Sequence, residues 1–140
     1  MTLDVGCSGE LRGDVNVDLS KLPMTYNKSF VRADGQHLPF INDSFEETTC
    51  FHVIEHVTNP FLLLDELLRV TKSKLTIKCP YRFSFYAKSP QHQHYFNKSW
   101  FKKNLKKKNV LFHIAVNLDR ERDIFKIPLE ITVRIYKLEK

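Results

Sequence analysis

Three acidic residues and a short glycine turn are the first places in this chain where residue type and spacing suggest chemistry. Leu3-Asp4-Val5-Gly6-Cys7-Ser8-Gly9 reads as a strand running into a turn with two glycines. Such a turn lets a ligand approach the backbone closely. Asp18 closes a second alternating run, Asp14-Val15-Asn16-Val17-Asp18, and Leu19 follows it. A carboxylate at a strand end can accept both hydroxyls of a ribose. Ala33-Asp34-Gly35-Gln36 closes a third run, where Asp34 can accept from an exocyclic amine, and Leu38-Pro39-Phe40 supplies an apolar wall. Taken singly, each motif also reads as an ordinary turn, cap or core plug.

Histidines form the second group. In His52-Val53-Ile54-Glu55-His56 two imidazoles stand four apart and would share one face of a helix. The letters are in a different order from the His-Glu-x-x-His metalloprotease pattern, so no metal is expected. Glu55 or His56 is instead expected to hydrogen-bond at a helix start. His92 and His94 lie in the aromatic-rich stretch 81–96 with Tyr81, Phe83, Phe85, Tyr86 and Tyr95. These aromatics read either as the lining of a pocket or as ordinary packing.

The elements that must position these groups alternate between strand and helix. Strands are predicted at 2–6, 14–18, 29–33, 47–53 and 73–79, and two more at 110–117 and 129–138, joined as a hairpin. A helix should start after Thr58 or Asn59, with Pro60 in its first turn and Phe61, Leu64, Leu67 and Leu68 at helical spacing. Asn97 can cap a basic helix over 98–108. The pattern is that of a single α/β domain over 1–140, with a mostly parallel sheet and an antiparallel edge.

Composition narrows the setting. At 140 residues and 42% hydrophobic, with 11 Phe, the chain can bury a core of its own. No apolar run approaches membrane-spanning length, and Met1-Thr2-Leu3-Asp4 does not read as a secretory leader. Three widely spaced cysteines, Cys7, Cys50 and Cys79, argue against a disulfide framework and for a reducing, cytoplasmic location. Residues 1–70 carry 5 Lys/Arg against 11 Asp/Glu, a net of −6, and residues 71–140 carry 17 against 5, a net of +12. An acidic half suits a cationic ligand and a basic half an anionic one, although solvated charge alone also accounts for both.

In combination, the segments resemble the class I S-adenosylmethionine (SAM)-dependent methyltransferases, and especially the type 11 methyltransferase domain. The resemblance rests on Leu3 to Ser8, Asp18 in Asn16-Val17-Asp18-Leu19, and Asp34 with Leu38-Pro39-Phe40 and Ser44-Phe45-Glu46. It continues through Ile54-Glu55-His56, Glu66-Leu67-Leu68-Arg69-Val70, and His92 with Phe96. It covers about residues 3–105. It implies a Rossmann-like seven-stranded sheet with its last strand antiparallel, SAM as cofactor, and methyl transfer to an acceptor the sequence does not name. By this likeness Asp4, Gly6, Cys7 and Gly9 would form the turn against the methionine part. Asp18 and Leu19 would hold the ribose side, Asp34, Gly35 and Gln36 would frame the adenine, and Phe51 and His52 would sit where the fourth strand opens onto the cofactor.

Departures from the family pattern shape the remaining expectations. Ser8 stands at the usual second glycine, and Glu10 falls near the third. Only 11 residues separate Gly6 from Asp18, so the first crossover helix should be a single turn or absent. The chain begins inside the first strand, so an N-terminal lid is expected to be reduced or absent, and a homodimer would cover the surface such a lid leaves. His92 is the first choice as general base, with His56 beside it and His52 and His94 as further candidates. The Lys98–Lys108 helix, with Trp100 and Phe101, makes nucleic acid a candidate acceptor or partner. A non-catalytic SAM-binding or scaffold protein with a reduced methyltransferase fold is the alternative from another class.

Overall fold

The computed structural model describes residues 1–20, 29–118 and 128–138. The elements are β1 (Thr2–Val5), β2 (Val15–Asp18), β3 (Ser29–Arg32), β4 (Phe45–Phe51), α1 (Pro60–Val70), β5 (Thr71–Pro80), α2 (Lys98–Leu105), β6 (Val110–Leu118) and β7 (Pro128–Lys137). They form one seven-stranded sheet in the order β3-β2-β1-β4-β5-β7-β6. β1 to β5 pair in parallel, whereas β7 runs antiparallel to both β5 and β6. This is the Rossmann-like architecture expected, with β7 as the antiparallel last strand.

The sheet centre is apolar because the central strands are covered. Leu3, Val5, Val17, Cys50, Leu75, Ile77 and Cys79 are all buried and belong to one core with Ile131, Val133 and Ile135 of β7. Helix α1 begins where the sequence signals it. The Asn59 side chain accepts from the backbone N–H groups of Phe61 and Leu62, both at 3.1 Å, and Pro60 opens the first turn. Its apolar stripe, Pro60, Leu63, Leu64, Leu67 and Val70, is buried. The Thr71 hydroxyl donates to the Leu67 carbonyl at 2.6 Å, so the chain passes from helix to strand without a loop and β5 starts two residues earlier than predicted.

Two more boundaries move for physical reasons. β4 ends at Phe51 rather than residue 53, because His52 takes a φ of 56°, which no strand accommodates. Helix α2 stops at Leu105, and Lys106 to Lys108 form a turn instead of a last helical turn. Between β1 and β2 there is no helix, as the short spacing requires. Gly13 makes that short connection feasible: a Cβ there would lie 2.5 Å from the Val15 carbonyl oxygen and 2.8 Å from the Asp4 nitrogen.

Candidate active site

The carboxyl ends of β1, β2, β3 and β4 meet at one edge of the sheet. The strand order reverses there, because β1 has β2 on one side and β4 on the other. Open α/β sheets bind ligands at such a switch point. The turn after β1 is held by its neighbours. Gly6 and Cys7 both donate their N–H to the Val17 carbonyl, at 2.7 and 3.2 Å, and Glu10 donates to the Cys7 carbonyl at 2.7 Å. Gly6 has φ 77° and Gly9 has φ 91°. A Cβ on Gly6 would sit 2.0 Å from Val53 Cγ2, so this position admits no side chain as the loop stands.

Ser8, the departure from the expected glycine, itself adopts a left-handed φ of 41°. For a residue with a side chain that conformation costs about 1–2 kcal/mol. Asp18 offsets it, because its Oδ2 accepts from the Ser8 N–H at 2.9 Å while Oδ1 accepts from the Ser20 N–H at 2.8 Å. A carboxylate has about four acceptor positions, so Asp18 retains capacity toward the solvent side. Leu19 beside it is 66% exposed, an uncovered apolar surface at the end of β2.

Asp4 is placed differently from the other acidic residues. It is fully buried, with Oδ1 accepting from the Thr49 hydroxyl at 2.8 Å and Oδ2 accepting from the backbone and guanidinium of Arg12, both at 3.3 Å. It braces the turn from beneath. Arg12 also pairs with Glu10 and lies 5.2 Å from the centre of the Phe51 ring, which Lys78 approaches at 5.0 Å. Arg12 therefore ties together what a crossover helix would otherwise position. Only its bonding to distant residues reveals this, and the sequence carries no signal for it.

Asp34 and Gln36 form a second brace. The Gln36 backbone N–H donates to Asp34 Oδ1 at 2.8 Å, and its side-chain amide donates to both Asp34 oxygens at 3.2 and 3.3 Å. Its Oε1 accepts from the Thr58 hydroxyl at 3.1 Å and the Asn59 N–H at 2.8 Å. Gln36 thus hangs Asp34 from the start of α1. Gly35 lies against Val5 and Leu63. The Leu38-Pro39-Phe40 segment is fixed by Arg69, which uses all five donors: on both Glu66 oxygens at 2.6 and 2.8 Å, on the Phe40 and Leu38 carbonyls at 2.7 and 3.0 Å, and on Asn42 Oδ1 at 3.0 Å. Glu66 also accepts from the Leu38 N–H at 2.8 Å. The Arg69 guanidinium holds the Glu66 pKa below the ordinary carboxylate range, and Arg69 is raised in turn.

Beyond β4 lies a cavity of about 620 Å³ lined by His52, Glu55, His56, Tyr86, His92 and Glu130, among others. His52 and His56 do not share a helix face, because residues 54–56 form a turn. His52 Nε2 meets Glu130 Oε2 of β7 at 3.0 Å, and its Nδ1 lies 3.5 Å from Glu55 Oε1. These carboxylates, Glu55 first, raise the His52 pKa above its ordinary value. His56 instead meets His92, with ring centres 4.7 Å apart and planes at 72°. The His56 Nδ1 bonds the Gln91 carbonyl at 3.2 Å, and the His92 Nδ1 bonds the Ala87 carbonyl at 3.0 Å. A carbonyl only accepts, so both Nδ1 atoms carry a proton, and in the neutral ring the lone pair is then on Nε2. The loop that brings His92 here is pinned by Gln93 and His94, which donate their N–H to the Glu55 carbonyl at 2.8 and 3.3 Å.

The remaining sequence candidates lie apart. His94 packs near Phe96, with ring centres 6.3 Å apart. On α2, Phe101 is fully buried, and the half-buried Trp100 packs on Phe61, Phe96 and Phe101. Phe83, Phe85, Tyr86 and Tyr95 are exposed. Cys7, Cys50 and Cys79 are free and buried, and burial pushes all three thiols up.

Comparison with known proteins agrees with this geometry. A family described as a methyltransferase domain matches residues 3–74, just over half of the chain. A protein of Mycolicibacterium vanbaalenii named an uncharacterized methyltransferase is 50% identical over 44 residues, which is 31% of this chain and 17% of that protein. The chain therefore matches less than a fifth of the length of this curated relative. A SAM-dependent methyltransferase of Thermotoga maritima superposes with a TM-score of 0.76 at 16% identity, covering 98% of this chain and 82% of that one. One from Archaeoglobus fulgidus gives 0.71 at 16% identity, covering 97% and 85%. At such identities the two structures speak for the fold, and the family match speaks for the lineage. This chain belongs to the methyltransferase domain family of the class I, Rossmann-like type.

Proposed function

We propose that this chain transfers a methyl group from SAM to an acceptor held in the cavity beyond β4. The observation that carries the reading is the convergence of the Gly6–Gly9 turn, Asp18 and Asp34 on the switch point of the sheet. The donor set fits the group. Asp18 keeps acceptor capacity for ribose hydroxyls, Asp34 offers an acceptor for an amine, and exposed Leu19 offers an apolar surface for a flat ring. The acidic residues Asp4, Asp18 and Asp34 also suit a sulfonium cation. When bound, SAM supplies an already activated methyl group.

The chain's own work is then proximity and alignment. Asp4, Gln36 and Arg69 are positioning residues that fix the turn, Asp34 and the Leu38–Phe40 wall. His92, with His56 as partner, is the general base for an acceptor that must lose a proton. Each has a fixed tautomer with Nε2 free to accept, and both line the cavity. Among the described residues no helix is long and apolar enough to cross a membrane. The free cysteines support a reducing, cytoplasmic setting.

Native mass spectrometry of the purified protein tests the reading. Copurified SAM or its demethylated product, absent from an Asp18→Ala variant, is expected. Protein that is free of both and cannot be loaded with either would overturn it. A non-catalytic binding role is favoured by one observation, the exposed aromatics Phe83, Phe85, Tyr86 and Tyr95, which offer a docking surface. Cofactor binding without conversion of SAM in the presence of cell extract would select that role.

A further inference from the structure

Glu55 is 1% exposed, yet neither of its carboxylate oxygens has a hydrogen-bond partner among the described residues. The His52 Nδ1 lies 3.5 Å from Glu55 Oε1, an ion-pair distance that supplies no hydrogen bond. A buried carboxylate without donors is costly unless something else compensates its charge. One ligand atom from each of Glu55, His56 and His92 lies within 4.8 Å of the others. Both imidazoles are oriented by Nδ1–H bonds to main-chain carbonyls, at 3.2 and 3.0 Å, which leaves Nε2 as the coordinating nitrogen. Metal-binding histidines characteristically make that bond with the nitrogen that faces away from the ion.

From this juxtaposition we propose that Glu55, His56 and His92 bind a divalent transition metal ion in the wall of the 620 Å³ cavity. Two imidazoles and one carboxylate are the ligand set of open zinc sites and of related N/O sites for iron or cobalt. Ligands of one such ion stand roughly 3–3.5 Å apart, given bond lengths of about 2.0–2.2 Å. The 4.8 Å span is wider than that, so the side chains would have to draw together around the ion. Three protein ligands would leave at least one position open, and all three residues line the cavity. The metal site stands on its own. An ion there would take the Nε2 lone pairs of His56 and His92, so in the metal-loaded protein these histidines would not act as the base; the site's use in orienting an acceptor oxygen rests on the methyl-transfer reading.

The sequence hides this site because the evident pair, His52 and His56, is not the pair used. His92 arrives from a loop 36 residues after His56 and is pinned there by the Glu55 carbonyl. The thiols, which would otherwise compete for a soft ion, are buried, Cys50 and Cys79 in the core and Cys7 within the glycine turn.

The test uses the untagged 140-residue chain, stripped with chelator and titrated with Zn²⁺ by calorimetry and with Co²⁺ by visible absorption. One equivalent is expected to bind, with a d–d band and no thiolate charge-transfer band, and to raise the melting temperature. Glu55→Gln, His56→Ala and His92→Ala should each weaken binding at least tenfold, whereas His113→Ala should leave it unchanged. The melting temperature of each metal-free variant controls for folding. Binding should weaken as pH falls, because the imidazoles must be deprotonated. No saturable binding by the folded intact protein would overturn the proposal, and so would binding that all three variants retain. SAM titration of the metal-free protein separates the two readings: metal binding without SAM binding sustains this site while removing its role in methyl transfer.

Discussion

Replacing Gly6 by alanine tests how tightly the Gly6–Gly9 turn is locked to the segment after β4. Two effects add. At φ 77° an alanine loses about 1–2 kcal/mol relative to glycine. The new Cβ would also lie 2.0 Å from Val53 Cγ2, so Val53 or the turn must shift. Overpacking of that kind costs about 1–3 kcal/mol. The expected total is about 2–5 kcal/mol, a large share of the roughly 5–15 kcal/mol that holds a domain together. Val53→Ala removes the clashing methyl and leaves only the Val53 Cβ, at 3.3 Å, near the new group. In the double variant the steric part should vanish and the backbone part of about 1–2 kcal/mol should remain. Urea denaturation of the wild type, both single variants and the double variant gives the coupling energy, expected at about 1–3 kcal/mol in favour of the pair. Strictly additive effects would refute the claim that Gly6 is small because Val53 occupies its side-chain space.

Other outcomes follow from the same contacts. Arg69→Met strands Glu66 and frees the Leu38 and Phe40 carbonyls, so chemical denaturation should register a loss of about 2–4 kcal/mol at neutral pH. The Glu66 pKa is depressed in the folded protein, so its contribution is complete above the ordinary carboxylate pKa and lost as pH falls through the lowered one. The gap between wild type and Arg69→Met should accordingly shrink on acidification below the ordinary carboxylate range, and a pH-independent gap would contradict the ion-pair account. Gln36→Leu leaves Asp34 and the first turn of α1 without their shared partner; SAM affinity and melting temperature should fall together, and an affinity loss with unchanged melting would mean that Gln36 contacts the ligand directly. The three cysteines should react with an aromatic disulfide reagent only at the rate of unfolding, since burial disfavours their thiolates; fast labelling of any one in native buffer would show that its thiol is accessible.

The elements and the mostly parallel sheet were legible because local signals agree with burial. Val15 and Val17 alternate with polar residues along β2, and Asn59-Pro60 announces α1. Strand ends were less legible. β4 stops at Phe51 because the left-handed His52 turns the chain, and nothing in the residue type histidine encodes that. At the site, the strand-end residues could be singled out because strand-end chemistry is local. Their division of labour was not legible, because it depends on partners far away in sequence. Asp4 is occupied by Thr49 and Arg12, Gln36 by Thr58 and Asn59, and His52 by Glu130, 78 residues on. Glu130 and Arg12 had no signal at all, since an isolated charge in an exposed-looking segment reads as solvation.

Calorimetric titration of the purified chain with SAM and with its demethylated product, alongside Asp18→Ala, tests the central claim most directly. Saturable one-to-one binding that the variant loses, with the variant's fold intact by circular dichroism, is the predicted result. Intact, folded protein that binds neither compound, or a variant that binds both as tightly as the wild type, would contradict it.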